Sequence, residues 1–148
     1  MRYSLAEYLV TITIPTDLAS AFGTNSISIG GEKSYLDNIS AAYSTSQWSI
    51  AGDDTGGYVH NKSLNRTGTV TLSLSQVSPQ ISKFKTLCNL FYNSTEDYDG
   101  LTITVSDLQG NVVCTCEDCM ISGIPQQSFG STAQPQNWTM NVGTLTFN

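Results

Sequence analysis

Few residues of this chain have types and spacings that could do chemistry. Cys114, Cys116 and Cys119 form a C-x-C-x-x-C run, and Cys88 supplies a fourth thiol. Four thiolates could hold zinc tetrahedrally, but the usual zinc-ribbon arrangement of two C-x-x-C pairs is absent. Cys114 and Cys116 on one strand would share a face at a repeat of about 6.5–7 Å, which is far for a disulfide. Reduced, mostly buried thiols are the favoured reading, zinc or a disulfide the alternatives, and no cofactor is expected. His60 is the single histidine. A Ser-His-Asp hydrolase would depend on it, but no G-x-S-x-G elbow accompanies it, so it reads as a surface or interface residue. Asp53 and Asp54, or Glu96, Asp97 and Asp99, could chelate calcium or act as paired acids. Neither group sits in a D-x-[DN]-x-[DN]-G loop with a distal Glu, and both read as solvated turns. Walker A and G-x-G-x-x-G sequences are also absent. No catalytic residue, no metal and no enzymatic activity are expected.

The elements that carry these residues are strands. From Asn38 to Gln76, two runs rich in Ser, Thr and aromatics flank Gly52, Asp53, Asp54, Thr55, Gly56 and Gly57, which are turn-forming types. Val70, Leu72 and Leu74 fall on one face of the second run, opposite Thr69, Thr71, Ser73 and Ser75. The stretch therefore predicts one long β-hairpin. Its distal half, Ala51 to Thr67, is too polar to pack on a core of its own, and is expected to pack on a second copy of the chain. Asp53, Asp54, Tyr58 and His60 are the candidate contacts there.

Around the hairpin, Tyr8 to Ile14 predicts a strand that Pro15 ends. Thr16 to Gly31 reads as a loop with a short strand at Ser26–Ile29. Ser78-Pro79 starts the only expected helix, with Ser78 as N-cap and Pro79 at the first helical position. Ile81, Phe84, Leu87, Cys88 and Phe91 form its apolar stripe. Leu101, Ile103 and Val105 mark a strand, 107–111 a hairpin loop, and Val112 to Ile121 the returning strand. A loop from Ile124 to Gln136 leads to the last strand, Asn137 to Phe147. There Trp138, Met140 and Val142 share a face, and Gly143 shifts the alternation so that Leu145 and Phe147 continue it, as at a bulge. Trp138, Met140, Val142, Leu145 and Phe147 are expected in the core. The expected fold is mainly β: a single domain over residues 1–148, a β-sandwich or partly closed barrel of about seven strands with one α-helix and a long protruding β-hairpin.

Charged residues make up 12% of the chain, about half the usual share. Ser, Thr, Asn and Gly take their place. Twelve acidic against six basic residues give a net charge of −6. Nucleic-acid binding through phosphates needs basic patches; Lys83 and Lys85 are the closest pair and fit one polar helix face. The N-terminus does not read as a signal peptide, because the apolar run Tyr8–Ile14 is short, Glu7 precedes it, and Thr11 and Thr13 interrupt it. No run reaches membrane-spanning length, so folding in a cytoplasm is expected. Sequons at Asn38, Asn61, Asn65, Asn93 and Asn137 are unsurprising in so Asn-, Ser- and Thr-rich a chain.

The order of these motifs resembles the tail-tube proteins of contractile-tailed bacteriophages, a phage structural family formerly of unknown function. The stretch S-L-N-R-T-G-T-V-T-L-S-L-S-Q-V-S-P up to Pro79 carries most of the resemblance. The L-T-I-T-V-S-D-L-Q-G-N hairpin and the aromatic-ended last strand follow in the expected order. The likeness runs from about Ile27 to Phe147; the C-x-C-x-x-C run and the Ile124–Gln136 loop lie outside the family pattern. The resemblance implies a homo-hexameric ring, stacked head to tail into a tube in the tail of the virion. It implies sheath, tape-measure, baseplate hub and tail-terminator proteins as partners, and DNA passing through the lumen without specific binding. It also implies that the long hairpin contributes to the inner barrel. That makes Thr69, Thr71 and Ser73, with Ser44 and Ser46 on the preceding strand, the expected lumen-facing residues, and the arm an inter-ring contact. Six copies at −6 each would carry −36 per ring, a field that repels DNA. Two alternatives remain at this point: a carbohydrate- or ligand-binding β-sandwich using Tyr43, Trp48 and Tyr58 as stacking platforms, and the tube of a bacterial contractile injection system.

Overall fold

The computed structural model describes residues 3–30, 35–93 and 100–148. Its main body is one seven-stranded antiparallel sheet in the order β2-β1-β7-β8-β9-β6-β3, curled into a half-barrel. The strands are β1 (Tyr8–Thr13), β2 (Ser26–Gly30), β3 (Leu36–Tyr43), β6 (Gly68–Ser75), β7 (Leu101–Asp107), β8 (Val112–Ile121) and β9 (Pro135–Phe147). β4 (Trp48–Gly52) and β5 (Tyr58–Lys62) form a separate two-stranded ladder. Of the two expected architectures, the partly closed barrel is the one formed. Its decisive pairing, β1 with β7 from Tyr8↔Asp107 to Thr13↔Thr102, joins segments too far apart in sequence for local pattern to reveal.

Alternation decides which face is core. Val10, Ile12, Val70, Leu72, Leu74, Ile103, Trp138 and Met140 are each fully buried. Helix α2 (Gln80–Asn93) lies on that face and buries Ile81, Phe84, Leu87 and Cys88, with the Phe84 and Trp138 rings 5.4 Å apart. The Ser78 Oγ accepts the Gln80 N–H at 3.4 Å, capping the helix start. A second helix, α1 (Thr16–Phe22), occupies part of the stretch read as a loop. It has seven residues and buries Leu18, too little for a periodic stripe. Its signals are Asp17 in the first turn and Gly23 at φ 101°, whose N–H closes on the Ala19 carbonyl at 2.8 Å.

Phe147, expected in the core, is 49% exposed. It points to the core side beside its strand partner Cys114, but at the end of the sheet that α2 does not reach; the Tyr43 ring meets it edge-on at 5.5 Å. Strand direction gives the sheet two distinct ends. Helices α1 and α2 and the loop 122–134 leave from one, here called upper. The 3₁₀ turn Leu5–Glu7, the β7–β8 turn and the β4–β5 arm leave from the other.

The phase shift expected at Gly143 is present and β8 shares it, but the β8–β9 register is unbroken there; the bulge is on β8, against β7. Cys116 pairs with Leu145 and Cys119 with Val142, all four buried. Two residues therefore separate inward positions on both strands at the same level. Asp118, at φ 56°, stands between Gly143 and Gly100. A Cβ on Gly143 would come within 3.1 Å of the Asp118 Cβ, and one on Gly100 would collide with the Asp118 carboxylate. The C-x-x-C spacing thus follows the phase of the sheet. The turn reading of Glu96, Asp97 and Asp99 lies outside the described residues.

Candidate assembly surfaces

The arm begins where β3 and β6 stop pairing. Tyr43 pairs with Gly68 and Trp48 with Lys62, so the ladder slips by one residue across the joint. The expected single hairpin is therefore two ladders. Ser44 and Ser46, expected on the strand beside β6, lie in this joint instead. The Ser44 N–H donates to the Thr67 carbonyl at 2.9 Å, and its Oγ lies 2.7 Å from the Thr67 Oγ1. On the other side Asn65 Oδ1 accepts from the Thr67 N–H at 3.0 Å and the Thr67 hydroxyl at 2.8 Å. Side chains that bond nearby backbone in this way compete with ladder formation, which accounts for the break.

Every residue of β4 and β5 is exposed. The arm's apolar residues lie on both faces, with Ala51 opposite Val59 on one and the larger rings on the other. Pairing places Trp48 with Lys62, Ile50 with His60 and Gly52 with Tyr58 on one side. Lys62 Nζ sits 5.6 Å from the Trp48 ring, and Tyr58 meets His60 edge-on at 5.5 Å. At the tip, Asp53 Oδ1 accepts from the Thr55 hydroxyl at 2.8 Å, the Thr55 N–H at 2.9 Å and the Gly57 N–H at 2.7 Å. The Thr55 hydroxyl bond, then the Gly57 and Thr55 amides, hold this carboxyl below its ordinary value. Asp53 thus shapes the turn, and Asp54, Tyr58 and His60 are presented around it. Trp48 and Tyr58 stand at opposite ends of the arm, about four strand residues or 13 Å apart, and Tyr43 lies on another sheet. The three aromatics do not make one stacking platform.

The second surface is the face of the sheet turned away from the core. Thr69, Thr71 and Ser73 point there, opposite Val70, Leu72 and Leu74, though Ser73 is only 8% exposed. Strand pairing extends the set well beyond the hairpin. Ser40, Thr71 and Thr139 lie side by side across three strands, and the Thr71 and Thr139 hydroxyls are 3.4 Å apart. Ser28, Thr11, Thr104, Thr115 and Thr146 form a row across five. Asn141 stands beside Thr69 and Asn137 beside Ser73. These neighbours were visible as alternation in their own strands; only the pairing order shows that they form one sheet of hydroxyls and amides.

The thiols belong to neither surface. Cys114, Cys116 and Cys119 are buried on the core face. The Cys114 and Cys116 Sγ atoms approach to 3.7 Å, closer than the strand repeat suggests and beyond disulfide bonding distance. Burial pushes Cys114 up to about 12 and raises Cys88 as well. Among the described residues, no three or more His, Cys, Asp or Glu side chains converge as a metal cage, and no helix is long and apolar enough to cross a membrane.

Several solved structures share this fold. The tube-terminating cap of the anti-feeding prophage superposes with a TM-score of 0.56 at 11% identity, covering 100% of this chain and 93% of that one. A chain of the PVC sheath–tube complex, from an extracellular contractile injection system in its extended state, gives 0.59 at 12% identity over 99% and 91%. The sheath/tube terminator of that system gives 0.59 at 10% identity over 100% and 97%. No curated protein sequence matches. A family profile described as bacteriophage PhiTE tail tube protein matches residues 3–147. With nearly the whole chain matched, the protein belongs to the bacteriophage PhiTE tail tube protein family.

Proposed function

We propose that the chain is the repeating, non-enzymatic subunit of a phage tail tube, closing into hexameric rings that stack head to tail and conduct DNA. The observation that carries this is a curled sheet that ends in two edge strands, β2 and β3, with an outward face of hydroxyls and amides and no Lys or Arg on any of its seven strands. Unpaired edges invite pairing with another chain, and a repeated edge-to-edge contact that closes gives a ring. The hydroxyl face then lines the lumen, through Thr69, Thr71, Ser40 and Thr139. Short hydroxyls hold water and offer DNA neither a cation nor an aromatic platform. The net charge of −6 per chain opposes adhesion further.

In this arrangement the arm reaches the adjoining ring with Asp53, Asp54, Tyr58 and His60 near its contact. A sheath surrounds the tube, a terminator closes its end, and tape-measure and baseplate hub proteins complete the tail of the virion. Assembly takes place in the host cytoplasm. The test is negative-stain microscopy of the purified protein, with its mass measured by light scattering. Rings of six and open tubes are expected. A monomer that persists at high protein concentration overturns the proposal.

A further inference from the structure

At the upper end of the sheet, the loop 122–134 carries Phe129 with 85% of its surface exposed. Gln76 holds this loop from below. Its Nε2 donates to the Ser128 carbonyl at 2.7 Å, and its Oε1 accepts the Gln134 N–H at 3.3 Å. Its own N–H donates to the Gln134 carbonyl at 3.0 Å. The Gln136 Nε2 adds a bond to the Gln127 Oε1 at 3.0 Å. The large exposed ring therefore follows directly after a residue pinned to the body. The backbone leading into the ring is thus held before any partner arrives, which lowers the ordering cost of a contact.

At the lower end, the core face that α2 leaves uncovered forms a recess of about 200 Å³. Its walls include Tyr3, Leu5, Ile39, Ala41, Val113 and Phe147. An apolar cavity of about 150 Å³ is enough to admit benzene, so the recess accommodates one phenyl ring.

We propose that Phe129 of each subunit inserts into this recess on a subunit of the adjoining ring. The inference rests on the stacked-ring reading above. If strand edges close the ring, strand ends face the rings above and below. Head-to-tail stacking then sets every upper end against a lower end, and the knob against the hole. The subunit that inserts Phe129 carries its own arm at its lower end, on the far side from the recess it enters.

The experiment uses the full chain with p-azidophenylalanine at position 129, assembled and then irradiated. Interchain adducts on peptides containing Tyr3 to Tyr8, Asn38 to Ala41, Val105, Val112 to Cys114 or Phe147 are expected. Adducts confined to other peptides, or none in tubes seen by microscopy, overturn the contact. Phe129→Ala should leave the subunit folded and the rings intact, because the side chain is exposed. It should raise the concentration needed for stacking by about 30-fold or more, the scale for truncating an anchoring aromatic. Phe129→Leu should recover part of that loss. Unchanged stacking in Phe129→Ala overturns the Phe129 contact alone; failure of the unaltered chain to form rings removes the ring reading together with it.

Discussion

Replacing Thr71 by Arg tests the lumen assignment most directly. Thr71 faces away from the core between Ser40 and Thr139, and neither neighbour can neutralise a guanidinium. Its replacement should cost the fold little, within about 0.5 kcal/mol for an outward site. In a ring of six, six guanidiniums would stand at one level of the channel. If each meets a phosphate, the affinity for duplex DNA should fall with salt at a log–log slope of about −5. Between 50 and 200 mM salt that is roughly a thousandfold. The assay is retention of a short labelled duplex by purified tubes across that salt range, with DNA ejection from assembled particles as the functional counterpart. The unaltered tube should retain almost nothing, and Thr71→Arg particles should eject slowly or incompletely. Equal retention by both tubes would refute the placement of the β6 hydroxyl face in the lumen. A folded variant that no longer forms rings would put Thr71 in a subunit contact instead.

Deleting residues 51–57 removes the tip of the arm without touching a buried residue; the expected product is a folded chain that forms rings but no longer stacks, scored by circular dichroism and microscopy. Trp138→Ala should destabilise the fold by about 3–5 kcal/mol, the range for deleting a large aromatic from a packed core, since the ring is fully buried against Phe84; chemical unfolding of the monomer measures it, and a loss under 1 kcal/mol (about fivefold in the folding constant) would contradict the packing. Because Asp53 is held below its ordinary value of 3.8, the turn it supports should be fully formed above that pH and be lost as pH falls through the lowered value; amide shifts of Thr55 and Gly57 should follow that titration, and should not do so in Asp53→Ala.

Alternation made most strands legible, because each has one buried face: Val70, Leu72 and Leu74 on β6, and Trp138, Met140 and Val142 on β9, are buried as the pattern required. The helix stripe from Ile81 was equally clear, since α2 spans 14 residues and repeats its signal. What stayed hidden depends on tertiary context. Phe147 continues the apolar phase of β9, but its burial depends on whether a helix covers that end of the sheet. Ser44 sits in a polar run that reads as strand, and only the bonds to Thr67 show that the ladder breaks there. The hydroxyl faces of single strands were legible as alternation, but their union into one surface was not. The extension of that surface to Thr11, Thr104 and Thr115 needs the long-range pairing of β1 with β7.

The matched phase shift on β8 and β9 has a geometric consequence. Bulged strands bend and coil more tightly than regular ones, and here β8 carries one extra residue against β7 between Cys116 and Cys119, with Asp118 filling the space between Gly100 and Gly143. A sheet bent at a fixed position has a defined radius. When such sheets join around an axis, their radius sets the bore, much as the taper of its staves sets the girth of a barrel. If the proposed rings form, Gly100, Asp118 and Gly143 help to set the calibre of their passage. A methyl group added at either glycine would press on Asp118 and change the local bend of the sheet.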